Sequence, residues 1–172
     1  MTDIIINNTS IQLFNAFNRN YSSRIVEICP LLNEFAIHVV EHTKSNYWNV
    51  ASCNDYDSFA YFLNKESADV ASTYAEIIVN IEMCNKLEFN EEEMFAALAH
   101  EIGHIITYFR ADKKSFNIQQ EEIISDRYAC KIGLGTPLEA VIKKMIESGY
   151  YPNDLIAQMN TRLMFLKYYS ND

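Results

Sequence analysis

The chain has 172 residues, 49% of them hydrophobic, and only four glycines and three prolines. This length and composition predict one compact, mostly helical domain that buries a real hydrophobic core. The net charge of −9 disfavours nucleic acid and anionic membranes as partners.

Features that report on cellular location favour the cytoplasm. No stretch approaches the roughly 20 apolar residues that a transmembrane helix needs, and the first residues lack a signal-peptide pattern. The four cysteines are scattered without a C-x-x-C pair, which favours free thiols in a reducing compartment. We therefore expect a cytoplasmic protein without membrane insertion, forming a single domain over residues 1–172 with loose ends at 1–9 and 170–172. The sequence leaves the oligomeric state open.

The first half of the chain predicts a helical region followed by strands. Residues 10–44 have helical periodicity, with interruptions near 20–23 and at Cys29-Pro30. Residues 47–63 are rich in aromatic and small polar side chains, which predicts two strands joined by a turn. Residues 75–83 repeat with a period of two, which predicts a half-buried strand.

An inverted zinc motif lies within the first helical region. His38, Glu41 and His42 follow the pattern H-x-x-E-H, and Glu121 or Glu122 follows at a plausible distance for a third ligand. No capped, strongly apolar helix surrounds these histidines. We therefore interpret them as polar histidines on a solvated face.

A second region, residues 89–109, predicts a capped and strongly apolar helix. Asn90 and Glu93 have the spacing of a capping box, and Phe89 with Met94 has the spacing of a hydrophobic staple. Gly103 costs about 1 kcal/mol in a helix interior, which indicates close packing at that point. The apolar residues recur at helical spacing and would form one face of this helix: Met94, Phe95, Leu98, Ile102, Ile105, Ile106 and Phe109.

The same helix carries the pattern H-E-x-x-H. His100 and His104 are four residues apart, so a helix places both imidazoles on one face, where they can bind one Zn²⁺. Glu101 lies one position further round, where it can act on a zinc-bound water without binding the metal. This arrangement of two ligands and a general base is typical of metalloproteases.

A catalytic zinc ion needs a third protein ligand. The extended pattern with a third histidine fails, because Thr107 and Arg110 occupy the required positions. The next predicted helix, at 120–129, carries Glu122 as a candidate third ligand. Asp126, on the same face, is a candidate acceptor for the outer N–H of a ligand histidine. The alternative is an ordinary acidic first turn.

These motifs resemble the gluzincin metalloproteases. The first part of the likeness is a run that begins with the strand at 79–81, continues through Asn90-Glu91-Glu92-Glu93 and ends with Leu98-Ala99-His100-Glu101-Ile102-Gly103-His104. The second part is the E-x-x-x-D pattern from Glu122 to Asp126, with the residues that follow it. It is closest to the HtpX and CAAX prenyl protease type, in a soluble and minimal form. It covers roughly residues 75–150, under half of the chain.

The resemblance implies a role for each residue of the two motifs. His100, His104 and Glu122 are implied as zinc ligands, Glu101 as the catalytic acid and base, and Asp126 as the partner of a ligand histidine. The strand at 75–83 is implied to be an edge strand that pairs with an extended substrate. The membrane members' substrates are not implied, because this sequence has no transmembrane helix.

Further helices complete the predicted fold. Gly133 and Gly135 should end the helix of Glu122, a capping box at 136–139 should open the next helix, and a last helix should follow residue 153. The predicted fold class is α+β and zincin-like, mostly helical, with a small mixed or antiparallel sheet over the zinc-binding helix.

The sequence therefore predicts a zinc-dependent endopeptidase that acts on peptide or protein substrates. Glu101 would take a proton from a zinc-activated water and pass it to the leaving amine. The group that stabilises the developing oxyanion stays open among Tyr108, Arg127, Tyr128, Tyr150 and Tyr151. Two alternatives also stay open: a regulatory or partner-binding module that holds zinc without turnover, and a structural helical protein without metal.

Overall fold

A computed structural model describes residues 8–29, 36–41, 51–53, 74–79, 81–110 and 117–169. The chain divides into two compact units, Met1–Glu82 and Met83–Asp172, and each is described by itself. Whether the units fold as one domain, as the sequence predicts, stays a prediction. No helix in the described ranges is long and apolar enough to cross a membrane.

The first unit begins with helix α1, Asn8–Ile28. Leu13, Phe17 and Ile25 recur at helical spacing and are buried. The predicted interruption at 20–23 is wrong, because the helix continues through it, with the ring of Tyr21 against Phe17 at 5.3 Å between centroids. The predicted interruption at Cys29-Pro30 is confirmed, since α1 ends at Ile28.

Three strands follow: β1 (Ala36–Glu41), β2 (Ala51–Cys53) and β3 (Tyr74–Val79). The prediction of helix across 36–41 is wrong. The segment Ala-Ile-His-Val-Val-Glu is rich in β-branched residues, which favour a strand. The predicted strand at 75–83 is confirmed as far as Val79, but it is wrong for residues 81–83, which are helical. The rest of the region predicted as strands at 47–63 lies outside the described residues.

The strand order is β1-β3-β2, with β1 parallel and β2 antiparallel to β3. His38 pairs with Glu76 and Ser52 pairs with Ile78. Along Ile77–Val79, β3 therefore has a neighbouring strand on both sides. The implied role of β3 as an edge strand for an extended substrate is wrong, because β3 lies between β1 and β2 in the sheet.

The second unit begins within the short helix α2 (Ile81–Lys86), and its described residues contain four longer helices. They are α3 (Glu91–Arg110), α4 (Ile118–Lys131), α5 (Gly135–Glu147) and α6 (Asn153–Tyr169). Helices α4 and α5 pack against α3, and α6 packs against α4 and α5. Helix α3 is thus the centre of this unit.

The start of α3 has the predicted capping box. Asn90 Oδ1 accepts a hydrogen bond from the backbone N–H of Glu93 at 2.9 Å, and Glu93 Oε2 accepts one from the N–H of Asn90 at 2.8 Å. Lys144 Nζ of α5 also donates to Glu93 Oε2 at 2.7 Å. The cap is therefore fixed both within the helix and by a neighbouring helix.

The turns between the later helices follow the sequence in part. Helix α4 ends at Lys131, and Gly133 has a φ of 92°, a left-handed conformation that glycine adopts without strain. The capping box predicted at 136–139 is wrong, because α5 begins at Gly135 and its cap residue Leu134 makes no side-chain cap hydrogen bond.

The predicted α+β, zincin-like fold class with a sheet over the zinc helix is wrong. Among the described residues after Met83 there are helices and turns but no strand. From Phe95 to Thr107 every residue of α3 is buried, so the helix must be covered on several sides. The amphipathic helices packed around it provide that cover, and the chain is predominantly helical.

Candidate metal centre

Helices α3 and α4 bring together three side chains that could bind a metal ion. His100 and His104 lie one turn apart on α3 and are buried, and their Nε2 atoms are 3.1 Å apart. Glu122 of α4 places Oε2 at 3.2 Å from His100 Nε2 and Oε1 at 3.3 Å from His104 Nε2. Within the described ranges these three residues form a group able to hold a metal ion.

The donor spacing matches what a small ion requires. A tetrahedral ion with bonds of about 2.0–2.1 Å to nitrogen and oxygen needs donors separated by about 3.3 Å. The two Nε2 atoms are 3.1 Å apart, each lies 3.2 or 3.3 Å from one of the two Glu122 oxygens, and one donor atom from each residue lies within 4.8 Å of the others. The residues therefore fit a metal ion, with two imidazoles and one carboxylate as donors.

Gly103 allows α4 to approach α3 closely at the site. A Cβ atom at this position would lie 2.7 Å from the carbonyl oxygen of Ser125 and 2.8 Å from its Cα. Real Cβ atoms do not come so near to backbone atoms, so only glycine fits without a shift of the helices. The predicted close packing at Gly103 is confirmed. Gly103 lies between His100 and His104 in the sequence of α3, and Ser125 follows Glu122 by three residues on α4.

Asp126 lies behind the first histidine. Its carboxylate is fully buried, and Oδ1 is 2.7 Å from Nδ1 of His100. In the neutral form of His100, Nδ1–H can donate to Asp126, which leaves the lone pair of Nε2 directed towards Glu122 and His104. The arrangement fixes the tautomer that a metal ligand requires.

Arg162 of α6 completes the cluster, and it was missed by the sequence analysis. Its guanidinium pairs with Asp126 at 2.7 and 2.8 Å and with Glu122 at 2.8 Å. A signal was available in the sequence. Arg162 lies three residues after Met159 and four before Leu166, both of which are buried, so it shares the inward face of α6.

The charges of the cluster shift its protonation equilibria. Burial and the Arg162 guanidinium lower the pKa of His100, but the carboxylates of Asp126 and Glu122 outweigh them and raise this pKa to about 10. Burial raises the pKa of both carboxylates, yet Arg162 and His100 hold each below its usual range. A metal ion would therefore displace a proton from His100 on binding.

Glu101 is buried next to His100 on α3. Its charge helps to raise the pKa of Arg162 above the usual value, after the larger contributions of Asp126 and Glu122. Its role as acid and base stays a prediction. Of the residues proposed for oxyanion stabilisation, Arg127 lies over the ring of Tyr169 at 5.7 Å, so its cation contacts α6.

His38 and Glu41 of the inverted motif lie in strand β1 and not in the predicted helix, and His42 lies outside the described residues. Comparisons with known protein families, curated proteins and solved structures find no match. The resemblance to gluzincins therefore depends on the motifs alone.

Proposed function

We propose that the protein is a zinc-dependent peptidase whose zinc ion is bound by His100, His104 and Glu122. The observation that carries this proposal is the grouping of one donor atom from each of these residues within 4.8 Å of the others, at a buried H-E-x-x-H helix. Two neutral imidazoles and a carboxylate are a donor set that suits zinc.

The number of donors supports catalysis over a purely structural zinc site. Structural zinc ions are bound by four protein ligands, whereas catalytic ions have three and keep a position for water or substrate. The part of the chain that the structure describes brings three donors together. A buried, glutamate-bearing helix beside them supports hydrolysis of a peptide or protein substrate.

Each side chain has its own task in the proposed hydrolysis. A bound zinc ion supplies Lewis-acid chemistry and makes water more acidic. Glu101 takes a proton from the attacking water on its carboxylate and passes it to the amine that leaves when the C–N bond breaks. Asp126 holds the Nδ1 proton of His100, so that Nε2 remains a donor to the metal.

The test is turnover of a broad peptide library, read by mass spectrometry, with protein of verified zinc content. Glu101→Gln keeps the size of the side chain but removes the base, so cleavage should fall by roughly 10²- to 10⁴-fold. Zinc content and folding should stay unchanged, because Glu101 is not a proposed ligand. Glu92→Gln makes the same change at an exposed position of α3 and should leave cleavage unchanged.

Three outcomes would contradict the proposal in different ways. Equal cleavage by the wild type and Glu101→Gln would refute the assigned mechanism. A wild type that is fully loaded with zinc yet cleaves no peptide would favour the zinc-containing partner-binding module. A wild type that binds no zinc would refute the metal centre itself.

A further inference from the structure

We infer that Arg162 is a positioning residue of the metal centre, through which the C-terminal helix α6 holds both Glu122 and Asp126 in place. The inference rests on the proposed metal site, because it concerns how the ligands are oriented. It assigns a role to a helix that carries no metal ligand. A single guanidinium would then connect three helices of the unit.

All three nitrogens of the guanidinium are engaged. Nε and Nη2 donate to the two oxygens of Asp126 at 2.8 and 2.7 Å, and Nη1 donates to Oε2 of Glu122 at 2.8 Å. This two-point pairing fixes the plane of the guanidinium and, with it, the direction of Nη1. A lysine has one nitrogen and cannot reproduce three contacts of this geometry.

The contacts act on the metal ligands from two directions. Directly, Arg162 fixes the carboxylate of Glu122 by occupying Oε2, so that Oε1, at 3.3 Å from His104 Nε2, is the more available oxygen. Indirectly, it fixes Asp126, whose Oδ1 is 2.7 Å from Nδ1 of His100. Two of the three proposed ligands therefore depend on one side chain.

Burial argues that this ion-pair cluster has a use beyond stability. The side chain of Arg162 is 11% exposed and that of Asp126 is 1% exposed, so both charges have lost most of their hydration. A buried ion pair is often no more stabilising than a hydrophobic replacement, because desolvation offsets the attraction. Metal ligands must lie within a few tenths of an ångström of their ideal positions. Holding two proposed ligands in such positions is a function that this cluster can serve.

The position of Arg162 couples the packing of α6 to the metal centre. Met159 and Leu166 are buried one turn before and after it on the same face, so Arg162 reaches the site when α6 is packed against α4. Coupling between two equilibria is reciprocal. Metal binding should therefore tighten the packing of α6.

The test compares Arg162→Lys with Arg19→Lys. The first keeps the charge but loses the fork geometry, and it should weaken zinc binding roughly 10- to 100-fold in a chelator competition. The second makes the same change at an exposed arginine of α1, and zinc affinity should stay at the wild-type value. Cobalt-loaded Arg162→Lys should also show an altered visible spectrum, which reports ligand geometry and would not change if Arg162 only stabilised the fold.

Hydrogen exchange of the wild type provides a measurement that requires no variant to fold. Zinc should slow amide exchange in α6, because Arg162 joins this helix to Glu122 and Asp126. The inference is overturned if Arg162→Lys has wild-type zinc affinity and cobalt spectrum, or if zinc leaves exchange in α6 unchanged. If the wild type binds neither zinc nor cobalt, the proposed function fails together with it.

Discussion

Gly103→Ala tests whether the close approach of α3 and α4 sets the spacing of the metal ligands. The new Cβ would lie 2.7 Å from the carbonyl oxygen of Ser125, whereas ordinary contact begins at 3.4 Å. Because the obstructing atoms are backbone, the helices must separate there by about 0.7 Å, the difference between these two distances. Metal ligands tolerate only about 0.2 Å.

Zinc affinity should therefore fall at least about 10-fold, as it does when groups that orient ligands are disturbed. The stability of the metal-free protein should change less. Overpacking costs about 1–3 kcal/mol, but replacing a glycine inside a helix by alanine returns about 1 kcal/mol. We expect the free energy of unfolding in urea to fall by about 0–2 kcal/mol.

Ser125→Ala is the matched control for this substitution. It alters the same contact without adding an atom near Gly103, and the buried hydroxyl that it removes has no hydrogen-bond partner among the described residues. Zinc affinity should stay within about twofold of wild type, since the backbone atoms of residue 125 are unchanged. If Gly103→Ala also keeps wild-type zinc affinity while folded, the argument from helix spacing is refuted.

Three further predictions concern the residues around the site and the first unit. Asp126→Ala should weaken zinc binding roughly 10- to 100-fold in a chelator competition, because His100 loses its orienting partner; unchanged affinity would show that this carboxylate does not orient the ligand. His38→Ala and His42→Ala should keep full zinc content by elemental analysis, and loss of metal in either folded variant would make the inverted motif the real site. Asn90→Ala should lower the free energy of unfolding by about 1 kcal/mol in urea denaturation, because the start of α3 loses its cap. An unchanged free energy of unfolding would mean that the contact between Lys144 and Glu93 is enough to stabilise the start of α3.

Features that depend on neighbours in sequence could be predicted well. The capping box at Asn90 and Glu93 and the pairing of His100 with His104 on one face follow from the helical repeat alone. The close approach at Gly103 could also be predicted, because a glycine destabilises a helix interior and is expected there where a neighbouring element packs closely.

Features that depend on distant parts of the chain were missed or wrong. The segment Ala36–Glu41 has an apolar pattern compatible with a helix, but it pairs with Tyr74–Val79, more than 30 residues away, and such pairing is invisible to local periodicity. The strand order that places β3 in the centre has the same origin. Arg162 was missed because its partners Glu122 and Asp126 are 40 and 36 residues away.

Elemental analysis of zinc in the purified protein, compared with His100→Ala and His104→Ala, tests the metal centre most directly. We expect one zinc ion per chain in the wild type and nearly none in either variant, because each substitution removes one of three proposed ligands. Circular dichroism should show that both variants keep their helices. Full zinc content in both folded variants, or none in the wild type after exposure to zinc, would refute the proposed metal centre.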